Sequence, residues 1–259
     1  MARPPVSLAQ KALLPIAILQ FAVPALPSLG IGFRIGDGPG EVMMRAPETP
    51  PGAFFAIWGL IFTAYLGVAL WAQTSRDYVL RSVTPPLAMA GLASITWMMM
   101  RQARLNDVLV YVVLVALFGF AYQAARRFDA TRGTGGSPGR WLLDVTTGLL
   151  AGWMTLALAL SSTELVRSAL GFANTDAEWW MLAFALLVAS TAALFAFRHI
   201  TASPYFLAAL AWGLLGVVIN LWSNVQLHVP AFLTALFSLW LIAYRVRTGA
   251  RGARATALT

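Results

Sequence analysis

The sequence predicts an all-α protein, a polytopic bundle of about eight transmembrane helices. Three observations predict it. Hydrophobic residues make up 59% of the 259 positions and charged residues only 11%, less than half of the roughly 25% usual in a soluble domain. The apolar residues come in runs of bilayer length, about 17–25 residues. The runs lack the period-two alternation of a membrane β-barrel.

Eight runs qualify: 12–32, 53–73, 84–100, 108–125, 142–163, 179–197, 204–224 and 229–244. The first holds Pro15, Pro24 and Pro27, so a kinked or broken helix is expected. The third and the last are short. Backbone inside hydrocarbon must bond to itself, which in these runs means helix. The N-terminal run has no look of a cleavable leader and is read as retained.

The basic residues give the orientation. With the N-terminus in the cytoplasm, only Arg34, Arg45, Arg101, Arg104 and Arg167 of the 18 Lys and Arg fall outside. That asymmetry is the positive-inside pattern and places both termini in the cytoplasm. It also accounts for the net charge of +8. The cations are spread singly between apolar runs, so no basic face for nucleic acid is expected. Membrane lipid is the expected surrounding. Two longer loops stand out. Phe33–Thr49 is rich in Gly and Pro and carries three acids. Residues 127–140 read as a cytoplasmic linker whose glycines lack the Gly-Lys-Ser/Thr ending of a phosphate loop.

Chemistry-bearing groups are few. There is no cysteine, so no disulfide or thiolate site is available. The two histidines, His199 and His228, lie near helix ends without a second ligand at helical spacing. The one lysine, Lys11, is not deep in a helix, as a retinal Schiff base requires. No activated nucleophile or paired acid and base is visible, so an enzyme has the least support. Asp144 is expected to pair with Arg140 four residues before it, and Glu164 with Arg167. Asp107 suits the start of its helix.

Aromatic surface is abundant instead, with ten tryptophans. Trp71, Trp141, Trp179, Trp180 and Trp222 fall near span ends, where indoles favour the head-group level. Trp58, Trp97 and Trp153 fall deeper. A cluster of rigid rings with few polar partners suits a flat apolar molecule.

The stretch PPGAFFAIWGLIFTAYLGVAL, Pro50–Leu70, resembles the second helix of the tryptophan-rich sensory protein, or translocator protein, family (TspO/MBR). Its pattern falls on Pro50, Gly52, Phe55, Trp58, Phe62 and Gly67. SITWMMM, Ser94–Met100, is similar to the family's Asn-x-x-Trp segment in helix three, and LLAGWMTLALAL, Leu149–Leu160, to its helix five. A stretch around Ala211–Val217, with Trp212, is similar to one in the longer bacterial branch. Departures are Ser94 and Ser161 where the family has asparagine, Thr146 where it has proline, and Met99-Met100-Arg101 after Trp97. They thin the polar set and leave the aromatic frame.

The resemblance implies a five-helix core over 1–165 and three additional helices with a basic tail over 166–259, in the bacterial inner membrane. It implies non-covalent binding of a porphyrin, another tetrapyrrole, or a sterol- or carotenoid-like molecule, for sensing, carriage or regulation. The implied cavity lies among helices one, two, three and five, with Phe54, Phe55, Trp58, Phe62, Ser94, Trp97 and Trp153 as ligand-binding residues and Phe33–Thr49 as its lid. The implied assembly is a homodimer. The alternative is a structural accessory subunit of a larger, pigment-containing membrane complex. It is motivated by the missing catalytic groups and the three extra helices.

Overall fold

The computed structural model describes residues 6–33, 46, 48–132, 137–171, 179–223 and 227–256. Eight helices follow in order: α1 Leu8–Ala25, α2 Ile57–Ala72, α3 Tyr78–Gln102, α4 Asp107–Asp129, α5 Pro138–Leu170, α6 Trp179–His199, α7 Pro204–Trp222 and α8 His228–Thr256. Among the described residues there is no strand. All eight helices have the length and apolar character to cross a membrane. The expected fold class is the one found.

Helix ends differ from the apolar runs for a physical reason. Hydropathy marks the hydrocarbon slab, whereas caps end the helix. Asp77 accepts the Val79 N–H at 2.8 Å and starts α3 six residues before the run. Ser137 caps α5 and Pro138 occupies its first turn. The proline-rich first run breaks as expected: α1 gives way to a 3₁₀ turn, Leu26–Leu29. A second 3₁₀ turn, Gly52–Ala56, leads into α2.

Helix α5 is the axis. Its 33 residues span about 50 Å, and α2, α4, α6 and α7 all pack on it. Of its membrane-spanning stretch 78% is buried, against 17% for α8. Small residues allow the close approach. A Cβ at Gly152 would lie 2.2 Å from the Phe206 carbonyl oxygen of α7, and one at Gly148 would lie 2.4 Å from Ser203 Oγ. This Gly-x-x-x-Gly pair is a close-packing seam between α5 and α7.

Polar stitches cross the apolar core. The Tyr65 hydroxyl donates to the Leu87 carbonyl at 3.2 Å. The Tyr122 and Thr155 hydroxyls bond at 2.8 Å, and Tyr111 meets Ser162 at 2.9 Å. Pro86 has no N–H for the Ser82 carbonyl, and Arg127 donates to that oxygen instead, at 2.9 Å.

The starts of α1, α3, α5 and α7 meet the ends of α2, α4 and α6 at one end of the bundle, here the terminal end. The Gln10 amide donates to the Ser75 carbonyl at 3.0 Å. Arg140 forks onto Asp77 at 2.9 and 3.2 Å. Asp129 accepts the Ala202 N–H at 2.8 Å and pairs with Arg132, which reaches Asp144 at 2.7 Å. Both expected local ion pairs are therefore corrected. Arg140 pairs with Asp77, not Asp144. Glu164 pairs with Arg101 at 3.0 Å, and Arg167 pairs with Glu48. Helical spacing makes two side chains neighbours, but partners from elsewhere in the chain offered both oxygens, as Asp77 does, or deeper burial, as Glu48 does.

Candidate functional site

The aromatic frame forms where α2 leaves its 3₁₀ turn and faces α5. Trp153 of α5 is buried at the floor. Phe55 meets it edge-on with centroids 5.5 Å apart, and Trp58 does so at 6.5 Å. Trp58 tilts against Phe62 at 5.2 Å, and Phe62 meets Phe21 of α1 at 5.8 Å. Positions 55, 58 and 62 face one way because they are three and four residues apart. Phe54 turns to the other side, where its ring lies 4.7 Å from Trp212 of α7. The Trp212 indole N–H donates to the Phe54 carbonyl at 2.9 Å. Gly216 lies against Pro50 and Phe54.

The structure thus brings together Phe55, Trp58, Phe62 and Trp153, and seats Phe54 on Trp212. Trp97 stands elsewhere, in the wall of a polar cavity with Arg101, Asp107, Tyr111 and Glu164. Ser94 is buried on α3, and its hydroxyl has no hydrogen-bond partner among the described residues; the same holds for Gln20 Oε1 on α1. Two cavities, one at Trp97 and one between α5, α6 and α7, hold about 10 Å³ each, room for a single water. The frame presents rigid apolar rings with few polar partners.

The connection from α1 to α2 begins and ends at this end of the bundle, here the lid end. Most of the expected lid, 34–45 and position 47, lies outside the described residues. Its described ends are tied to different helices. Phe33 N–H donates to the Gln102 carbonyl at 3.0 Å, and the Arg104 guanidinium stacks 3.7 Å above the Phe33 ring. At the other end Asn220 of α7 donates to the Ala46 carbonyl at 3.2 Å. Glu48 receives Arg167 through Nε at 3.0 Å and Nη2 at 3.1 Å, with both side chains only 2% exposed.

Glu48, Arg167 and Asn220 had no place among the expected site residues. One signal for Arg167 was present. It falls four, seven and eleven residues after Thr163, Leu160 and Leu156, on the inward face of α5. Among the described residues, no three of His, Cys, Asp or Glu are grouped to hold a metal.

Fold and site define a multi-pass helical membrane protein whose central helix carries an aromatic floor facing α2. A family model described as TSPO-like protein matches residues 35–246. The match covers most of the chain, which therefore belongs to the TSPO-like family, as the resemblance implied. No curated protein and no solved structure matches the chain.

Proposed function

We propose that the protein binds a flat hydrophobic molecule from the bilayer, without a covalent bond, and acts as its sensor, carrier or regulator. The observation behind this is the ring set on Trp153: Phe55 and Trp58 stand edge-on to one buried indole. A macrocycle such as a porphyrin would slide between such faces once the rings part, gaining stacking on both sides. Sterol- or carotenoid-like ligands fit the same chemistry. Phe54 and Phe62 flank the set, Ser94 would offer a polar point on α3, and Trp97 stands apart at the neighbouring cavity. In this reading 1–165 forms the ligand-binding unit. The three helices and tail of 166–259 brace it, with Trp212 bonded to Phe54. The asymmetry of Lys and Arg supports placing both termini in the cytoplasm of a bacterial inner membrane. The experiment is titration with protoporphyrin IX, followed by tryptophan fluorescence. Saturable quenching is expected, weakened in Trp58→Ala and Trp153→Ala. Equal quenching in both variants and wild type would remove this site.

A second reading, an accessory subunit of a pigment-containing complex, rests on α8. It presents Phe232, Leu239 and Trp240 outward. Extraction in mild detergent followed by size analysis separates the two readings. A monomer or homodimer ends the second.

A further inference from the structure

The lid is tied at one point that the aromatic site does not use. Arg167 is a fully buried guanidinium held by a carboxylate from a distant loop. Beside Glu48 lies the cavity between α5, α6 and α7. Leu156 and Leu160 line it from α5, Leu182 and Ala189 from α6, and Val217 from α7. Apart from Glu48, its wall is wholly aliphatic. The aromatic frame suits a flat ring; this wall suits a flexible chain.

The depth matches an amphiphile. Helix α5 exceeds the roughly 30 Å hydrocarbon core by some 20 Å. Arg167, three residues from its end, falls at head-group level. Leu156 lies eleven residues back, about 16 Å deeper along the axis. A carboxylate on Arg167 would therefore have its chain pointing into the membrane, down the cavity. The wall formed by α6 is the lightly held one: 33% of its span is buried, against 78% for α5. It leans on α5 and hardly approaches α7 along the backbone.

We propose that Arg167 and the α5–α6–α7 cavity form a fatty-acid site, in which Glu48 occupies the place of the ligand's carboxylate. Binding is an exchange of one carboxylate for another on the same guanidinium. The buried cation stays paired, so the large cost of stranding it is avoided. Glu48 passes to the aqueous interface, and the chain enters as α6 moves outward. The fatty-acid site does not rest on the function proposed above.

The test uses the full chain in nanodiscs of phosphatidylcholine, with palmitic acid carrying a mid-chain diazirine and, in parallel, its methyl ester. After irradiation, mass spectrometry maps the adducts. The acid is expected to label segments 156–160 and 182–189, and the ester to label them far less. Glu48→Gln removes the competing charge while leaving an amide oxygen for Arg167. Labelling should then rise about tenfold at limiting probe. Ala189→Trp, which fills the deep end, should abolish it. Equal labelling by acid and ester in the wild type would overturn the proposal without any variant. So would an unchanged or reduced signal in Glu48→Gln. Trp58→Ala should leave the labelling intact, so failure of the porphyrin site and failure of this one read out separately.

Discussion

The two ends of the bundle are both held by arginine–carboxylate pairs, but in different surroundings. At the lid end Arg167 and Glu48 are sealed from solvent. At the terminal end Arg132 keeps 33% of its side chain exposed, and it shares two acids. The Coulomb attraction is similar in kind. What differs is the cost of losing a partner. A buried charge left alone cannot be rehydrated, whereas an exposed one simply turns to water. The Arg167–Glu48 pair is thus an all-or-none tie, and the Arg132 pairs are replaceable ones.

The largest expected effect breaks the buried tie. Glu48→Leu strands the Arg167 guanidinium and should cost about 3–5 kcal/mol in unfolding free energy. The double variant Glu48→Leu/Arg167→Met should recover most of that, since two apolar side chains leave no charge unpaired. A double variant as unstable as the single one would show that burial is not the cause. Next comes Asn220→Ala, which removes one hydrogen bond to the lid and should cost about 1 kcal/mol.

A smaller effect is expected at Asp77, read best through pH. Burial works to raise its pKa. The Arg140 hydrogen bond, the Val79 N–H and the Arg140 charge outweigh burial and hold the carboxyl below its usual range. A carboxyl with a depressed folded pKa contributes stability above its unfolded value, near pH 4. That contribution disappears as pH falls through the lower folded value. Asp77→Asn keeps a capping side chain and loses the charge. Thermal unfolding should therefore show wild type ahead of the variant at about pH 7, with the gap closing toward about pH 3. The smallest effect is Arg132→Ala, about 0.2–1 kcal/mol and shrinking further in high salt. A loss there as large as in Glu48→Leu would erase the distinction between the ends.

The sequence made the number of helices legible because eight apolar runs must each satisfy their backbone in lipid. It also showed Trp58 and Trp153 as deep rings, and the structure has them in edge contact. It did not show that Trp97 faces away from them. Depth in a span says nothing of direction around the bundle, which is set by which helices neighbour α3. Ion pairing was read from helical spacing and came out differently at both places tried. Arg140 found Asp77, and Arg167 found Glu48, 119 residues away in sequence. Such contacts depend on loop paths that periodicity does not encode. The α5–α7 seam was half visible. Gly152 lies inside the Leu149–Leu160 stretch that carries the helix-five resemblance. Its pairing with Gly148 against Phe206 and Ser203 needed α7 in place.

The break in α1 has a mechanical consequence. Pro27 lacks the N–H that would serve the Val23 carbonyl, and the Leu26 N–H reaches that oxygen in a tighter turn. Here the Gln102 side chain of α3 donates to that oxygen at 2.9 Å, and the Gln102 carbonyl holds Phe33. One glutamine thus joins the bent tip of α1, the end of α3 and the entrance to the loop into a single bracket. The bend in α1 cannot flex without carrying α3 with it.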